Sequence, residues 1–142
     1  MPIVPLVNRR EVVSKLPQIV NGRRANAARL FRALADHPDI LLQEEIGESS
    51  WFGFSLVIRP GSRIKRPALV RRLSEAGFEC RPIVAGNFAR NEVMAHMDHE
   101  ISGPLRNADH IHENGLFIGN HHTPMDDAIG ALENALKVGE IA

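Results

Sequence analysis

From Phe52 onward the chain alternates between apolar and small or polar residues. Phe52, Phe54, Leu56 and Ile58 fall on one side, and Gly53, Ser55 and Val57 on the other. A period of two predicts a strand with one apolar face. Pro60-Gly61 closes it, because proline cannot donate to a ladder and glycine permits a turn. The second face is nearly bare at Gly53 and Ser55, beside Trp51. Such a patch accommodates a flat ligand, another backbone or a closely packed helix.

Before this strand the pattern is helical. Asn8 is placed to cap a helix over residues 9–15, with Glu11 in its first turn. Leu16-Pro17 predicts a break, and Pro17 suits the first turn of a second helix reaching Ala35. Val20, Ala27, Leu30, Phe31 and Leu34 form its apolar stripe, while Gly22 and Asn26 weaken it slightly. Asp36-His37-Pro38-Asp39 ends it, and residues 40–43 read as a short extended run.

After Gly61 a basic loop leads to a helix with Pro67 in its first turn and Leu69, Val70, Leu73 and Ala76 inward. Gly77 caps it, with Phe78 folding back on the last turn. Residues 79–84 read as a strand, and Pro82 places it at an edge or strand end. Gly86-Asn87 opens an irregular polar region running to Pro104. Residues 105–113 are helical by period, with Leu105, Ala108 and Ile111 inward. Residues 116–118 are a short buried strand, and residues 119–122 a turn. Thr123-Pro124-Met125-Asp126 has the form of a helix start, Met125, Ile129, Leu132 and Leu136 are the buried stripe, and Gly139 is the stop. The order helix, strand, strand, helix, strand, helix, strand, helix implies an α/β (α+β) fold. Its form is a two-layer sandwich, a small, mostly antiparallel sheet with helices packed on it.

Composition narrows the function classes. The 142 residues suffice for one domain with a real core. Basic and acidic residues balance at 17 each, so charge argues for neither nucleic acid nor an anionic membrane as partner. Cys80 is the single cysteine, which rules out a disulfide framework and a thiolate zinc site. No apolar run has the length of a membrane span. The patch at residues 1–7 is broken by Pro2 and Pro5 and precedes its arginines, unlike a signal peptide, so a cytoplasmic location is expected.

Seven histidines invite a metal reading. His96, Asp98 and His99 lie close together, His110 and His112 are two apart, and His121 and His122 are adjacent. Only His96 and His99 are one turn apart, and they fall in the irregular region rather than on a helix, so no metal site is expected. Ser49 and Ser50 lie in no nucleophile elbow, and there is neither a phosphate loop nor a dinucleotide fingerprint.

Four motifs carry a resemblance. They are Glu48-Ser49-Ser50-Trp51-Phe52-Gly53-Phe54, Glu75-Ala76-Gly77-Phe78, Arg81-Pro82-Ile83-Val84-Ala85-Gly86-Asn87, and the run from Ala108 to Gly119 before a final helix. Together they resemble the C-terminal region of the DegT/DnrJ/StrS family, sugar-nucleotide aminotransferases of the aspartate-aminotransferase fold. The Arg-Pro…Gly-Asn turn is most similar to the branch of lipopolysaccharide-biosynthesis ketodeoxyhexose dehydrases. Residues 11–31, with Leu16-Pro17 and Arg23-Arg24, resemble the long helix that links that family's two domains. Where the branch tends to continue with Gln-Pro after Arg90, this chain has Asn91-Glu92, which leaves the sugar open.

The resemblance implies a helical linker over residues 1–36 and a small C-terminal α/β domain over residues 37–142. It implies pyridoxal phosphate or pyridoxamine phosphate in the parent enzyme, a large N-terminal domain as partner, a nucleotide sugar as substrate, and a homo-oligomer. The catalytic and cofactor residues of the family belong to that large domain. Lys15, Lys65 and Lys137 have no apolar surroundings to lower an amine pKa, so no cofactor is expected on this chain alone. The substrate side would fall to Arg81, whose planar fork suits pyrophosphate or a sugar hydroxyl, with Arg90 nearby, and to Asn87, which both donates and accepts. Trp51 and Phe52 would stack on a ring, and His121 and His122 would lie before a helix N-terminus. Each has a purely structural alternative: Arg81 in a surface ion pair, Asn87 as a turn residue, Trp51 in the core, the histidines as loop. A free-standing ligand-binding regulatory module, or a protein-interaction module, is the rival class.

Overall fold

The computed structural model describes residues 9–137. Among them are four α-helices, α1 (Arg9–Leu34), α2 (Arg66–Glu75), α3 (Arg106–Asn114) and α4 (Asp126–Lys137). They accompany four strands, β1 (Ile40–Leu42), β2 (Gly53–Ile58), β3 (Cys80–Arg81) and β4 (Gly115–Gly119). The strand order is β1-β2-β4-β3, and every pairing is antiparallel. The two-layer α/β expectation holds. The proposed Asn8 cap and Gly139 stop lie outside the described residues.

Alternation on β2 and β4 builds the core. Phe54, Leu56 and Ile58 meet Leu116 and Ile118 on one face of the sheet, all buried. Helices cover this face with Ala27, Leu30 and Leu34 of α1, Leu69 and Leu73 of α2, and Ile129, Leu132 and Leu136 of α4. The α2 stop follows the glycine-cap pattern: Gly77 has φ 89°, and the Phe78 N–H donates to the Leu73 carbonyl at 2.9 Å.

Four expectations need correction. The predicted break at Leu16-Pro17 does not occur: α1 runs through Pro17 as one helix of 26 residues. The proline removes one N–H donor in a turn where Val13 and Leu16 are exposed, so water can satisfy the freed carbonyl. Phe52 does not share the apolar face of Phe54. It precedes β2 and is 69% exposed, because Trp51 takes a left-handed φ of 52° and turns its own ring inward. The strand expected over residues 79–84 is limited to Cys80–Arg81 at the sheet edge, ended by Pro82. The last helix starts at Asp126, two residues beyond Pro124, with the Ile129 N–H donating to the Met125 carbonyl.

Candidate functional site

The bare patch on the second sheet face is filled by the chain's own aromatics. A Cβ on Gly53 would fall on the Phe117 ring and 2.6 Å from the Ile118 carbonyl oxygen. Gly53 therefore leaves room for Phe117, and Phe52 stacks on Phe117 with centroids 5.8 Å apart and planes at 27°. Arg81, Pro82 and Val84 border this aromatic shelf and complete a cleft of about 420 Å³. A smaller cleft of about 250 Å³ adjoins it, between Phe52, Phe117, Glu79, Arg81 and Asn120. Arg81 is exposed and donates from Nε to Glu79 at 2.9 Å, an ion pair at the cleft rim. The Arg23 guanidinium carbon also lies 5.8 Å over the Phe52 ring, in cation–π reach. An aromatic shelf with an arginine at its rim can hold a planar ring and an anionic group together.

Asn87 lies elsewhere, and it is buried. Its side-chain oxygen accepts from the Ala89 N–H at 3.1 Å, and its amide donates to Asp109 at 2.8 Å. Its own backbone N–H donates to Nδ1 of His112 at 3.1 Å, and a Cβ on Gly86 would fall on that imidazole. Gly86 and Asn87 thus fasten the loop after β3 to α3. Arg90 belongs to the same cluster, with Nε 2.7 Å from Asp109 and a terminal nitrogen 2.9 Å from Glu113. Its hydrogen bond to Glu113 raises its guanidinium pKa above the ordinary value; desolvation opposes this, and the Asp109 and Glu113 charges add to the rise.

The Trp51 ring is inside the core, edge-on to Phe31 at 4.7 Å, so Phe52 is the aromatic that faces outward. His121 and His122 are exposed, with rings 4.3 Å apart, and His121 Nδ1 lies 2.9 Å from the Thr123 hydroxyl. Among the described residues no three His, Cys, Asp or Glu side chains form a metal-sized group. The seven proposed residues are therefore distributed. Arg81 and Phe52 meet at the shelf, Asn87 and Arg90 meet at α3, and Trp51, His121 and His122 lie around the Asn120 turn.

Sequence reasoning overlooked the residues that hold these parts together. Asn26 donates to the His121 and Thr123 carbonyls at 2.8 and 2.7 Å, and Asn120 donates to the Arg23 and Trp51 carbonyls at 3.0 and 2.8 Å. Both are buried. The available signal was Asn26 within the apolar stripe of its own helix. Phe117 was assigned only to a buried strand, and its pairing with Phe52 required the backbone turn at Trp51. Beside the shelf, α3 and β1 leave an apolar groove of about 440 Å³ on the same sheet face, floored by Ser55 and Val57.

Pyridoxal phosphate does not fit the residues present. Lys15, Lys65 and Lys137 are all exposed, Lys65 stands just before α2, and Lys137 lies 3.9 Å from Glu133. None lines the clefts described above. No desolvated amine is available to hold the cofactor aldehyde.

Comparison with known proteins places this arrangement. Residues 10–137 match the DegT/DnrJ/EryC1/StrS aminotransferase family. GDP-4-keto-6-deoxy-D-mannose 3-dehydratase of Yersinia pseudotuberculosis is 46% identical over 128 residues, 89% of this chain and 33% of that protein. Lipopolysaccharide biosynthesis protein RfbH of Salmonella typhimurium is 31% identical over 75% of this chain and 25% of its own length. A crystal structure of GDP-4-keto-6-deoxymannose-3-dehydratase with a trapped PLP-glutamate geminal diamine superimposes with a TM-score of 0.87 at 44% identity, over 89% of this chain and 33% of that one. The chain spans about a third or less of the length of the curated relatives it matches. The match over nearly all described residues and the superposition on that dehydratase agree: the chain belongs to the DegT/DnrJ/EryC1/StrS aminotransferase family.

Proposed function

We propose that this chain is the small substrate-side domain of a nucleotide-sugar 3-dehydratase, working with a large N-terminal domain that carries the pyridoxal-phosphate chemistry. The observation that carries this reading is the open shelf of Phe52 and Phe117 beside Arg81, on a chain without a suitable lysine. Residues 1–36 serve as the connecting helical segment and residues 37–142 as the domain proper. The ligand is a nucleoside-diphosphate sugar of the GDP-linked 4-keto-6-deoxy class. Its base or sugar lies on the Phe52 face, and Arg81 leaves Glu79 to donate to a phosphate or hydroxyl oxygen. Asn87 and Arg90 hold the loop that follows Arg81, through Asp109, Glu113 and His112, so their role is to position it.

The test joins the N-terminal two thirds of the Yersinia relative to this chain and follows dehydration of the GDP-linked 4-keto-6-deoxy sugar. The fusion is expected to turn over, and Arg81→Ala to lower kcat/KM by roughly 1.5–3 kcal/mol, about 10- to 150-fold. Folding should be unchanged, because an exposed ion pair contributes little. Normal turnover by Arg81→Ala removes it from the substrate site. Tight binding of the nucleotide sugar by the 142-residue chain alone would favour the rival reading of a free-standing ligand-binding module.

A further inference from the structure

Residues 83–86 form a tight turn, closed by the Gly86 N–H donating to the Ile83 carbonyl at 2.9 Å. Its second residue, Val84, has φ 52°. Turns with a positive φ at that position are dominated by glycine, asparagine and aspartate. A β-branched residue there is an outlier, because the left-handed backbone drives its Cβ against the following carbonyl oxygen. Trp51 takes the same φ, and burial of its indole in the core offsets the cost. Val84 gains no such burial, being 93% exposed.

The strained turn is nevertheless anchored at both ends. Ile83 packs on Gly115, where an added Cβ would come within 2.7 Å of the Ile83 Cδ1. After the turn, the Asn87 N–H donates to His112 and its side-chain amide to Asp109. These anchors hold the Val84 isopropyl group at the border of the 420 Å³ cleft, with Phe52, Arg81, Pro82 and Phe117. Strain that the fold maintains without packing gain marks a residue kept for what it touches.

We propose that Val84 is a ligand contact, its two methyls bearing on the nucleotide's base where that base lies on the Phe52–Phe117 shelf. The inference rests on the reading above and narrows it from base or sugar to base. Of the five residues around the cleft, only Arg81 has a hydrogen-bonding side chain. A sugar laid there would leave most of its hydroxyls without side-chain partners. A base instead presents a π face, which stacks on an aromatic ring whatever its edge carries. The branched side chain has a restricted χ1, so on an anchored turn it is a contact organised before the ligand arrives.

Val84→Asn and Val84→Gly test this, since both residues accept the left-handed turn and both lack the methyls. In the 142-residue chain each should melt at the unmodified temperature or a few degrees above it. A fall of several degrees would assign Val84 to the fold and overturn the proposal. In the fusion described above, calorimetry should show each variant binding GDP about tenfold more weakly. With the GDP-linked 4-keto-6-deoxy sugar, KM should rise by a similar factor at nearly constant kcat, because ribose and diphosphate separate the base from the reacting sugar. Valine-methyl NMR of the fusion reads the contact without turnover: GDP should shift the Val84 methyl signals, identified by their absence in Val84→Asn. Unchanged GDP affinity in both variants, unmoved Val84 methyls at saturating GDP, or a loss confined to kcat overturns the proposal, and in an active fusion it does so alone. An inactive fusion that binds GDP with shifted Val84 methyls overturns the dehydratase reading alone. A fusion that binds no GDP overturns both.

Discussion

A helix-interior asparagine normally turns its amide to water, because it competes with the backbone for hydrogen bonds. Asn26 is instead 1% exposed and holds two loop carbonyls, those of His121 and Thr123. Asn26→Leu would leave those acceptors buried without donors. We expect it to lower unfolding stability by about 2–3 kcal/mol in urea titration; a change below about 0.5 kcal/mol would mean that water replaces the amide. Cys80 gives a residue-scale expectation with a sign. Burial pushes its thiol up, and the Arg66 guanidinium offsets this only in part. The folded chain therefore holds the thiol proton more tightly than the unfolded chain. The resulting stability is full below the ordinary thiol pKa and is lost as pH rises through the folded value. Iodoacetamide near pH 8 should modify Cys80 in the folded chain several-fold more slowly than in the urea-unfolded chain, roughly fivefold, with the gap closing as pH rises. Equal rates would contradict the desolvation. At this scale the sequence misled most at Trp51 and Phe52: alternation assigned Phe52 inward, and one left-handed residue exchanged the two rings.

At the scale of elements, helix α1 shows how tertiary contact overrides propensity. Gly22 reads as a weak point, and glycine in a helix interior usually gains about 0.5–1 kcal/mol on replacement by alanine. Here a Cβ would land on the His122 carbonyl oxygen, so the helix and the loop approach more closely than any side chain allows. Gly22→Ala should therefore destabilise, by about 1–3 kcal/mol in thermal or urea unfolding; a stabilised variant would show that the loop moves aside easily. Most elements were legible because their signals are local: period two in β2, period 3.6 in α2 and α4, and the Gly77 stop. The predicted break at Pro17 failed because one lost hydrogen bond in a solvated turn does not end a helix that is anchored further along. Residues 79–84 yielded only a two-residue strand because β4, their partner, pairs with Cys80 and Arg81 alone.

For the whole molecule, the division between the two sheet faces is decisive. One face is sealed by α1, α2 and α4, while the other holds the Phe52–Phe117 shelf and the apolar groove beside α3. Periodicity foretold the sealed face, but the open one depended on pairings distant in sequence, such as Ser55 with Phe117. The open clefts also bound what the chain can do unaided. A nucleotide sugar resting on a shelf with one wall buries too little surface to offset its lost translational freedom. Calorimetry on the 142-residue chain should therefore detect no binding at millimolar GDP-sugar, and a micromolar dissociation constant would show that the site is complete as it stands.

The Asn26–Asn120 contacts have a consequence in time as well as in space. They join residues 94 to 97 positions apart in the chain. Contacts of that separation close a long loop and are costly to form early in folding. The two asparagines should therefore engage after the β2–β4 sheet has assembled, acting as a latch on a nearly finished structure. Loss of the latch would fall mainly on the unfolding rate and leave the refolding rate nearly unchanged. What the latch would lengthen is the lifetime of the folded domain, and with it the time that the His121–Thr123 loop and the Trp51 turn stay in place beside the shelf.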